Sequence, residues 1–140
     1  MNYYAIELHA HTNHSDGSFT TEELLGRAQD FGYDILTITD HNTVAPYEEW
    51  KNNRHWSGDM LVIPGIEWTT YLGHMLVIGS KQMIDWRKAD RDTIDSRISE
   101  IKGSGGIVGI AHPFSIGSPI CTGCRWEFQV KDYDNVDFIE

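Results

Sequence analysis

Two histidines one residue apart, His9 and His11, are followed by Asp16 near the start of the chain. The residues before the pair, 4–8, have the pattern of a short β-strand, and residues 20–31 have the pattern of a helix. The histidines therefore lie where a strand has ended and the chain turns. Imidazole and carboxylate together suit Zn²⁺, Mn²⁺ or Fe²⁺ better than Mg²⁺ or Ca²⁺, which prefer oxygen ligands. The stretch predicts part of a transition-metal site.

Other possible metal ligands stand after further predicted strands, at residues 34–39, 60–63 and 106–111. In α/β folds the loops that bind ligands gather at the carboxyl ends of the strands, so side chains placed there meet at one rim. His74 begins a predicted strand instead, and it reaches the same rim if that strand runs antiparallel to its neighbours. The candidates that follow strands are Asp40, His41, Glu67 and His112.

Each candidate has a simpler explanation when it is taken alone. A single histidine is more often a hydrogen-bonded residue than a ligand, and Asp40 or Asp16 could form an ordinary turn. Glu67 is harder to explain because it stands between two apolar residues, and a buried unpaired carboxylate is costly. The convergence of the whole set favours a metal site. We expect His14 to line the pocket and His55 to be solvated.

The rest of the pattern alternates strands with helices. The first helix has a capping box formed by Thr20 and Glu23, and it ends at Gly32. Further helices are predicted from Pro46 and over residues 90–102. We therefore predict one α/β domain that spans all 140 residues and contains a largely parallel sheet.

Length and charge restrict the class of protein. The chain has 140 residues, of which 40% are hydrophobic and 23% charged, as in an ordinary globular domain. Its formal net charge of −10 argues against a nucleic-acid partner, although bound divalent metals would cancel part of that charge. No apolar run is long enough to span a membrane, and the N-terminus is not basic. We expect a cytoplasmic protein with no membrane partner.

The two cysteines form one Cys-x-x-Cys, Cys121 and Cys124, within a long predicted loop. They are too few for a disulfide framework, which fits a reducing compartment. The pair could be half of a zinc site or a thiol pair beside the pocket. Because a second pair is absent, we favour two thiols that pack in the loop. Trp126 and Phe128, just beyond, are expected in the core or in the pocket wall.

The sequence stops inside a predicted strand at residues 136–140, with no turn or cap after it. Domain boundaries normally fall in polar, flexible stretches. We therefore expect this chain to be the N-terminal part of something longer. Exposed sheet edges would then favour association between copies into a homo-oligomer.

A centre of several divalent metals that share a carboxylate has a defined chemistry. It lowers the pKa of a bound water toward neutrality, polarises an oxygen of the substrate and stabilises the leaving group. We therefore expect a hydrolase of a small-molecule substrate, most naturally a phosphate ester. The same water could also attack a carbonyl carbon.

These motifs resemble those of the PHP (polymerase and histidinol phosphatase) domain, a family of metal-dependent hydrolases. The first motif is His-x-His followed by Ser-Asp-Gly, and the second resembles Thr-Asp-His-Asn at residues 39–42. The third resembles residues 65–67 with Gly-His at 73–74, and Ala-His-Pro at 111–113 is also similar. The resemblance covers nearly the whole chain. It implies the N-terminal portion of a distorted (β/α)7 barrel with up to three metals at the C-terminal rim.

The resemblance also implies which residues hold the first two metals. His9, His11 and Glu67 would hold the first metal. Glu67, as a bridge, would hold the second together with His74 and His112.

Asp16 and His41 would hold the third metal, and Asp40 would orient a ligand or carry a proton during catalysis. The family's late Asp-x-His motif has no counterpart in this sequence. By resemblance, that Asp would complete the first metal and that His the third. This leaves open how many metals the 140-residue chain binds and whether it is active.

Within the family, residues 65–79 and 112–124 are most similar to the carbaryl-hydrolase-like subgroup (CehA/McbA), whose named members cleave an aryl carbamate. Three hypotheses follow. The first is a phosphoesterase acting on a nucleotide or sugar phosphate, with Arg125 as the candidate cation for phosphate. The second is an amide, carbamate or ester hydrolase. The third is a non-catalytic PHP module, which the complete set of reachable ligand positions disfavours.

Overall fold

The computed structural model describes residues 3–53, 58–116 and 121–140. Within these ranges, three α-helices accompany one six-stranded sheet. The helices are α1 (Thr21–Phe31), α2 (Ala45–Asn52) and α3 (Ile94–Gly103). Short 3-10 turns lie at Trp86–Lys88 and Tyr133–Asn135. The strands are β1 (Ile6–Glu7), β2 (Ile35–Ile38), β3 (Leu61–Thr69), β4 (His74–Ile78), β5 (Ile107–Ile110) and β6 (Phe138–Ile139).

The strands lie side by side in chain order, and five of them run the same way. The exception is β4, which is antiparallel to both β3 and β5. The start of β4 therefore lies at the same rim as the ends of the other strands, and His74 pairs with Thr69 there. This confirms the orientation that His74 needed to reach the rim.

The signals at the ends of α1 act as predicted. The Thr20 side chain accepts a hydrogen bond from the Glu23 backbone N–H, and the Glu23 carboxylate accepts one from the Thr20 backbone N–H. Gly32 ends the helix in the left-handed region with φ 96°. A glycine adopts this conformation without the steric cost of a Cβ.

The largest difference from the predicted elements concerns β3. The sequence pattern ended this strand at Ile63, before Pro64 and Gly65, and placed Glu67 after it. In the structure the strand continues to Thr69, so Glu67 lies inside it. The reason is the hairpin with β4, which pairs with β3 beyond the point where β2 ends.

The third helix is shorter than predicted at its N-terminus. It begins at Ile94 rather than Asp90. The Asp90 carboxylate accepts hydrogen bonds from the backbone N–H groups of Asp92 and Thr93, and this turn competes with helix formation. The predicted apolar face of Ile94, Ile98 and Ile101 is buried.

Two of the apolar clusters among the described residues pack helices against the sheet. One packs α1 and α2 against β2, with Leu25, Leu36 and Ile38 buried. The other packs α3 against β3, β4 and β5 and includes Trp68 and Phe128. The predicted core position of Phe128 is thus confirmed, and Trp126 packs partly buried against the same cluster.

Candidate metal centre

The carboxylate of Glu67 lies at the centre of the rim and is 1% exposed. Its Oε1 is 2.8 Å from His74 Nδ1 and 3.0 Å from His112 Nε2. The two histidines come from the start of β4 and the residues after β5, which the antiparallel pairing brings to one place. One oxygen of this buried carboxylate therefore faces two imidazoles.

The other oxygen, Oε2, faces three more imidazoles. His11 Nε2 and His41 Nδ1 lie 3.0 Å from it, and His9 Nε2 lies 3.4 Å from it. None of these approaches forms a hydrogen bond to this buried atom among the described residues. His9 Nε2 and His11 Nε2 are 3.1 Å apart. Two ligands that share one ion at about 2.1 Å lie roughly 3.0–3.4 Å apart, so these spacings fit a common cation.

In His74 and His112, the ring nitrogen that points away from Glu67 also faces a hydrogen-bond acceptor. His74 Nε2 is 3.1 Å from the Thr122 carbonyl, and His112 Nδ1 is 3.2 Å from the Cys124 carbonyl. A neutral imidazole carries one N–H, which the outer carbonyl uses. The inner nitrogen then turns a lone pair toward Glu67. A proton or a metal ion is required between the two atoms.

The electrostatics favour a cation in this space. Burial lowers the pKa of His11, but Glu67 and Asp16 outweigh it and raise the pKa to about 9. Burial opposes ionisation of Glu67, yet the surrounding imidazoles hold its pKa far below the usual range. Five protonated rings with centroids 4.5–5.5 Å apart would repel one another. Divalent cations neutralise the carboxylate without that repulsion, so the donor set fits transition metals.

Asp16 forms the outer part of the cluster. Its Oδ1 is 2.6 Å from His11 Nδ1, and its Oδ2 is 3.3 Å from His41 Nε2. Slight burial raises the pKa of Asp16, but the two histidines lower it further than that, so the net shift is downward. The side chain is 66% exposed and borders solvent. Asp16 therefore lies at the solvent-facing side of the cluster.

The structure brings all seven candidate ligands to one rim. Three groups place one ligand atom per residue within 4.8 Å of one another: His9–Glu67–His112, His11–Asp16–His41 and His41–Glu67–His74. These groups overlap the sets implied by the resemblance but do not coincide with them. Which histidine serves which ion stays a prediction.

Residues 7–103 match the family model of the PHP domain. The chain belongs to the PHP domain family. The motifs within this range lie at the ends of β1 and β2, within β3 and at the start of β4, and His112 after β5 joins them at the rim.

Two curated relatives are similar to part of the chain. The 5'-3' exoribonuclease Rnm of Escherichia coli is 42% identical over 71 residues, which are 49% of this chain and 24% of that protein. The protein of the same name from Salmonella typhimurium matches with the same values. The matched part of the chain thus spans about a quarter of the length of each relative.

Three solved structures share the fold. A Bifidobacterium adolescentis protein described as a metal-dependent phosphoesterase has a TM-score of 0.63 at 16% identity, over 99% of this chain and 77% of its own. A two-domain Bacteroides vulgatus protein containing a predicted PHP-like metal-dependent phosphoesterase has a TM-score of 0.57 at 19% identity, over 85% and 38%. A Chromobacterium violaceum amidohydrolase has a TM-score of 0.56 at 17% identity, over 81% and 69%. The six-stranded sheet therefore corresponds to part of a PHP barrel.

Asp40 lies beneath the PHP rim and is fully buried. Its carboxylate accepts hydrogen bonds from the backbone N–H and hydroxyl of Thr12 and from the Ser15 hydroxyl, the last at 2.6 Å. These bonds hold the loop that connects His11 to Asp16. Asp40 therefore orients the ligand-bearing loop, while a role in proton transfer stays a prediction.

Gly17 allows that loop to close. A Cβ at this position would overlap the carbonyl group of His11. The loop also folds on itself through the Gly17 N–H, which donates to the Thr12 carbonyl at 2.9 Å. The glycine of the Ser-Asp-Gly motif is thus required by the close approach of two backbone segments.

One residue of the site was missed from the sequence. Glu140 follows β6, and its carboxylate lies 3.0 Å from His9 Nδ1 and accepts a hydrogen bond from the His112 backbone N–H at 3.1 Å. Sequence reasoning placed this residue inside a strand at 136–140. The available signal was the same strand-end rule, because β6 is parallel to β5 and ends at the same rim.

The other histidines contribute differently. His14 Nε2 lies 2.8 Å from the Glu49 carboxylate, which also accepts a hydrogen bond from the Thr21 hydroxyl. His14 thus joins the loop to α2 beside the cluster. His55 lies outside the described residues.

The cysteines are not the packed free thiols that we expected. Cys121 and Cys124 are joined in a disulfide, with a Cα–Cα distance of 5.7 Å. Gly123 turns the segment back with φ +77°, which brings the two cysteines together. The described part of the chain has no free cysteine.

Arg125 follows the disulfide and lines an open cavity of about 280 Å³ with Tyr71 and Ser115. Its backbone forms an antiparallel bridge with Phe114, two residues after His112. The cavity is also lined by Cys121, Gly123 and Cys124, so it lies beside the segment that contacts His74 and His112. Within the described ranges, no helix is both long and apolar enough to cross a membrane.

Proposed function

We propose that this chain is the catalytic part of a metal-dependent phosphoesterase. The observation that carries the proposal is the Glu67 carboxylate, which is 1% exposed and faces five imidazole nitrogens at 2.8–3.4 Å. Such a carboxylate is stable only when cations compensate its charge. Bound Zn²⁺, Mn²⁺ or Fe²⁺ would supply a water of lowered pKa and polarise the phosphoryl oxygen.

The chain's own residues divide the work around Glu67. His9 and His11 face Oε2, whereas His74 and His112 face Oε1, so the carboxylate can bridge two ions. Their outer nitrogens are held by carbonyl or carboxylate oxygens, which fixes the nitrogen that each ring offers.

The exposed side of the cluster holds the substrate in this proposal. Asp16 and His41 lie there, 3.3 Å apart, and would hold a third ion. Bound there, it would supply positive charge for the phosphate oxygens of a substrate at the open face of the rim. The Arg125 side chain, in its cavity of about 280 Å³, would bind a further part of an anionic substrate.

The primary substrate class in this proposal is a small phosphate ester, such as a nucleotide or sugar phosphate. The names of two structural neighbours, which describe metal-dependent phosphoesterases, support the reaction class. A cation beside the rim supports an anionic substrate, and the net charge of −10 disfavours a long nucleic-acid footprint.

A second candidate substrate is the 5' end of a short RNA. The observation that favours it is the 42% identity over 71 residues with the 5'-3' exoribonuclease Rnm. Hydrolysis of a terminal phosphodiester needs the same activated water and the same phosphate contacts. Only one or two nucleotides would have to contact the rim, which a negatively charged protein allows when metals are bound.

The test measures metal content and hydrolysis together. The chain is loaded with Mn²⁺ or Zn²⁺, and the metal per chain is determined by elemental analysis. Hydrolysis is then measured with p-nitrophenyl phosphate, bis-p-nitrophenyl phosphate, a p-nitrophenyl ester, an aryl carbamate and a 5'-phosphorylated oligoribonucleotide. The proposal predicts metal-dependent turnover of a phosphate substrate.

Glu67→Gln is the decisive variant, and Glu22→Gln on the exposed face of α1 is its matched control. We expect Glu67→Gln to lose at least one metal per chain and more than a hundredfold in rate, whereas Glu22→Gln behaves as the parent. Hydrolysis of the carbamate but of none of the phosphate substrates would show that the protein is a carbamate hydrolase and not a phosphoesterase. Metal binding without any turnover would indicate a non-catalytic module.

A further inference from the structure

The disulfide segment, residues 121–124, lies directly against two of the candidate ligands. The Thr122 carbonyl is 3.1 Å from His74 Nε2, and the Cys124 carbonyl is 3.2 Å from His112 Nδ1. These are the two histidines that face Oε1 of Glu67. One short segment therefore contacts the outer nitrogens of both rings whose inner nitrogens face Oε1 of Glu67.

The two carbonyls determine which nitrogen each ring turns inward. A carbonyl oxygen only accepts, so it requires the N–H on the outer nitrogen. His74 then offers Nδ1 to the centre, at 2.8 Å from Oε1, and His112 offers Nε2, at 3.0 Å. Outer contacts of this kind affect metal affinity by about 10–100-fold.

Two features keep the segment in this shape. Gly123 has φ +77°, and a Cβ there would overlap the Thr70 carbonyl, so the segment sits directly on the hairpin between β3 and β4. The Cys121–Cys124 disulfide closes the turn across Thr122 and Gly123. Both oriented carbonyls belong to residues within this closed turn.

The segment is also open to solvent. Cys121 is exposed and Cys124 half-buried. Both line the cavity of about 280 Å³ beside the rim. A small thiol can therefore reach the disulfide without entering the metal centre.

We propose that Cys121–Cys124 is a thiol–disulfide exchange site that positions His74 and His112. A dithiol reductant attacks one sulfur as its thiolate, the S–S bond breaks, and a mixed disulfide forms. The second thiol of the reductant resolves it. The products are two cysteine thiols and the oxidised reductant, which has given up two electrons and two protons.

The consequence acts first on the two rings that the segment contacts, His74 and His112. With the disulfide open, the turn at Thr122 and Gly123 gains freedom and its carbonyls no longer fix the two rings. A metal held by His74 or His112 would then bind more weakly, whereas the outer contacts of His9 to Glu140 and of His11 to Asp16 are unchanged. This inference rests on the metal centre proposed above and adds a site that adjusts it.

The test compares the oxidised chain, the chain reduced with dithiothreitol and Cys121→Ser/Cys124→Ser. Thiols are counted with a chromogenic disulfide, and Mn²⁺ binding is measured by equilibrium dialysis. We expect one class of Mn²⁺ sites to weaken at least tenfold on reduction. The double variant should match the reduced chain and ignore dithiothreitol. Glu22→Gln, on the exposed face of α1, is the matched control and should bind as the parent.

A second readout needs no metal. The ring ¹⁵N signals of His74 and His112 in the metal-free chain should move on reduction, while those of His14, bonded to Glu49, stay unchanged. Moved signals in a chain without phosphoesterase activity would support this inference and overturn the proposed function. Equal Mn²⁺ binding with unmoved signals, or two free thiols in the air-oxidised chain, would overturn the inference.

Discussion

At the scale of single residues, the partners of the outer ring nitrogens are as informative as the candidate ligands. A histidine surrounded by solvent can rotate and exchange its proton between two nitrogens. Here His9, His11, His74 and His112 each have a fixed oxygen on the outer side. Each ring therefore presents a defined nitrogen to Glu67, and changes to the outer oxygens should alter metal affinity without removing a ligand.

Glu140 gives the first prediction. Its carboxylate faces His9 Nδ1 and accepts from the His112 backbone, so Glu140→Gln places an amide N–H against one of these two groups. We expect Mn²⁺ affinity to fall about tenfold, by loss of a carboxylate–histidine contact. Equilibrium dialysis measures this, with Glu22→Gln as control. An unchanged affinity would show that Glu140 does not orient His9.

The raised histidine pKa values give the second prediction. Metal binding requires deprotonated nitrogens, and the pKa of His11 is about 9 in the metal-free protein because Glu67 and Asp16 outweigh the effect of burial. Mn²⁺ affinity should therefore increase with pH up to about 9, by roughly tenfold per pH unit for each proton displaced. Dialysis at pH 6–9.5 measures it. Affinity that is constant above pH 7 would contradict the raised pKa.

At the scale of elements, the loop between β1 and α1 is the part that most needs support. It carries His11 and Asp16, yet it is a loop, and its order comes from Asp40 after β2. The carboxylate accepts three hydrogen bonds in a fully buried place. Asp40, which follows β2, therefore positions the candidate ligands His11 and Asp16, which follow β1.

Asp40→Asn gives the third prediction. The amide can replace one acceptor oxygen but turns N–H groups toward Thr12 or Ser15, which also donate. An unsatisfied buried donor costs about 1–3 kcal/mol, so we expect the free energy of unfolding to fall by that amount. Urea denaturation measures it, with Asp30→Asn on the exposed face of α1 as control. Equal midpoints for both variants would contradict the role given to Asp40.

At the scale of the whole molecule, the sheet has two edges, β1 and β6. Apolar side chains near them are exposed, among them Tyr4 at 70%, Ile6 at 47% and Ile139 at 59%. Such edges can pair with another chain. Association into a homo-oligomer, expected from the sequence, is therefore the fourth prediction. Light scattering at 10–100 μM should give a mass above 16.0 kDa, and a monomer throughout would contradict it.

Removal of metal gives the fifth prediction. Ligands that bind only the folded chain stabilise it by about 2.7 kcal/mol at a hundredfold excess over Kd. For a domain of this size, that corresponds to a rise in Tm of roughly 5–10 °C. Thermal unfolding with Mn²⁺ and after chelation measures it. No change in Tm at saturating Mn²⁺ would exclude a centre that joins five strands.

Without metal, the free energy of unfolding should depend on pH in a direction that the pKa shifts define. The pKa values of His9, His11 and His112 are raised on folding, so their contribution to stability is complete below about pH 6.5. It is lost as the pH rises through the raised pKa values, which for His11 is about 9. The pKa of Glu67 is lowered, so its contribution is present above about pH 4.5 and lost below. The metal-free chain should be most stable near pH 5–6.5.

The sequence by itself determined the residues of the rim and most of the elements that carry them. His9, His11, Asp40 and His112 could be placed because a strand end is a local pattern, and Thr20 with Glu23 marks a helix start within four residues. The order of these motifs along the chain then indicated the family. Local patterns of this kind depend on neighbours along the chain, so one sequence reveals them.

Only the tertiary structure decided what depends on contacts between distant segments. The continuation of β3 through Glu67 required the pairing with β4, and the role of Glu140 required β6 to lie beside β5. The Thr122 carbonyl, between Cys121 and Cys124, contacts His74 across 48 positions of sequence, and no local pattern encodes such a contact. Hydrogen-bond partners are determined by packing, so the candidate ligands could be named from local patterns, whereas the Thr122 and Cys124 carbonyls that face His74 and His112 could not.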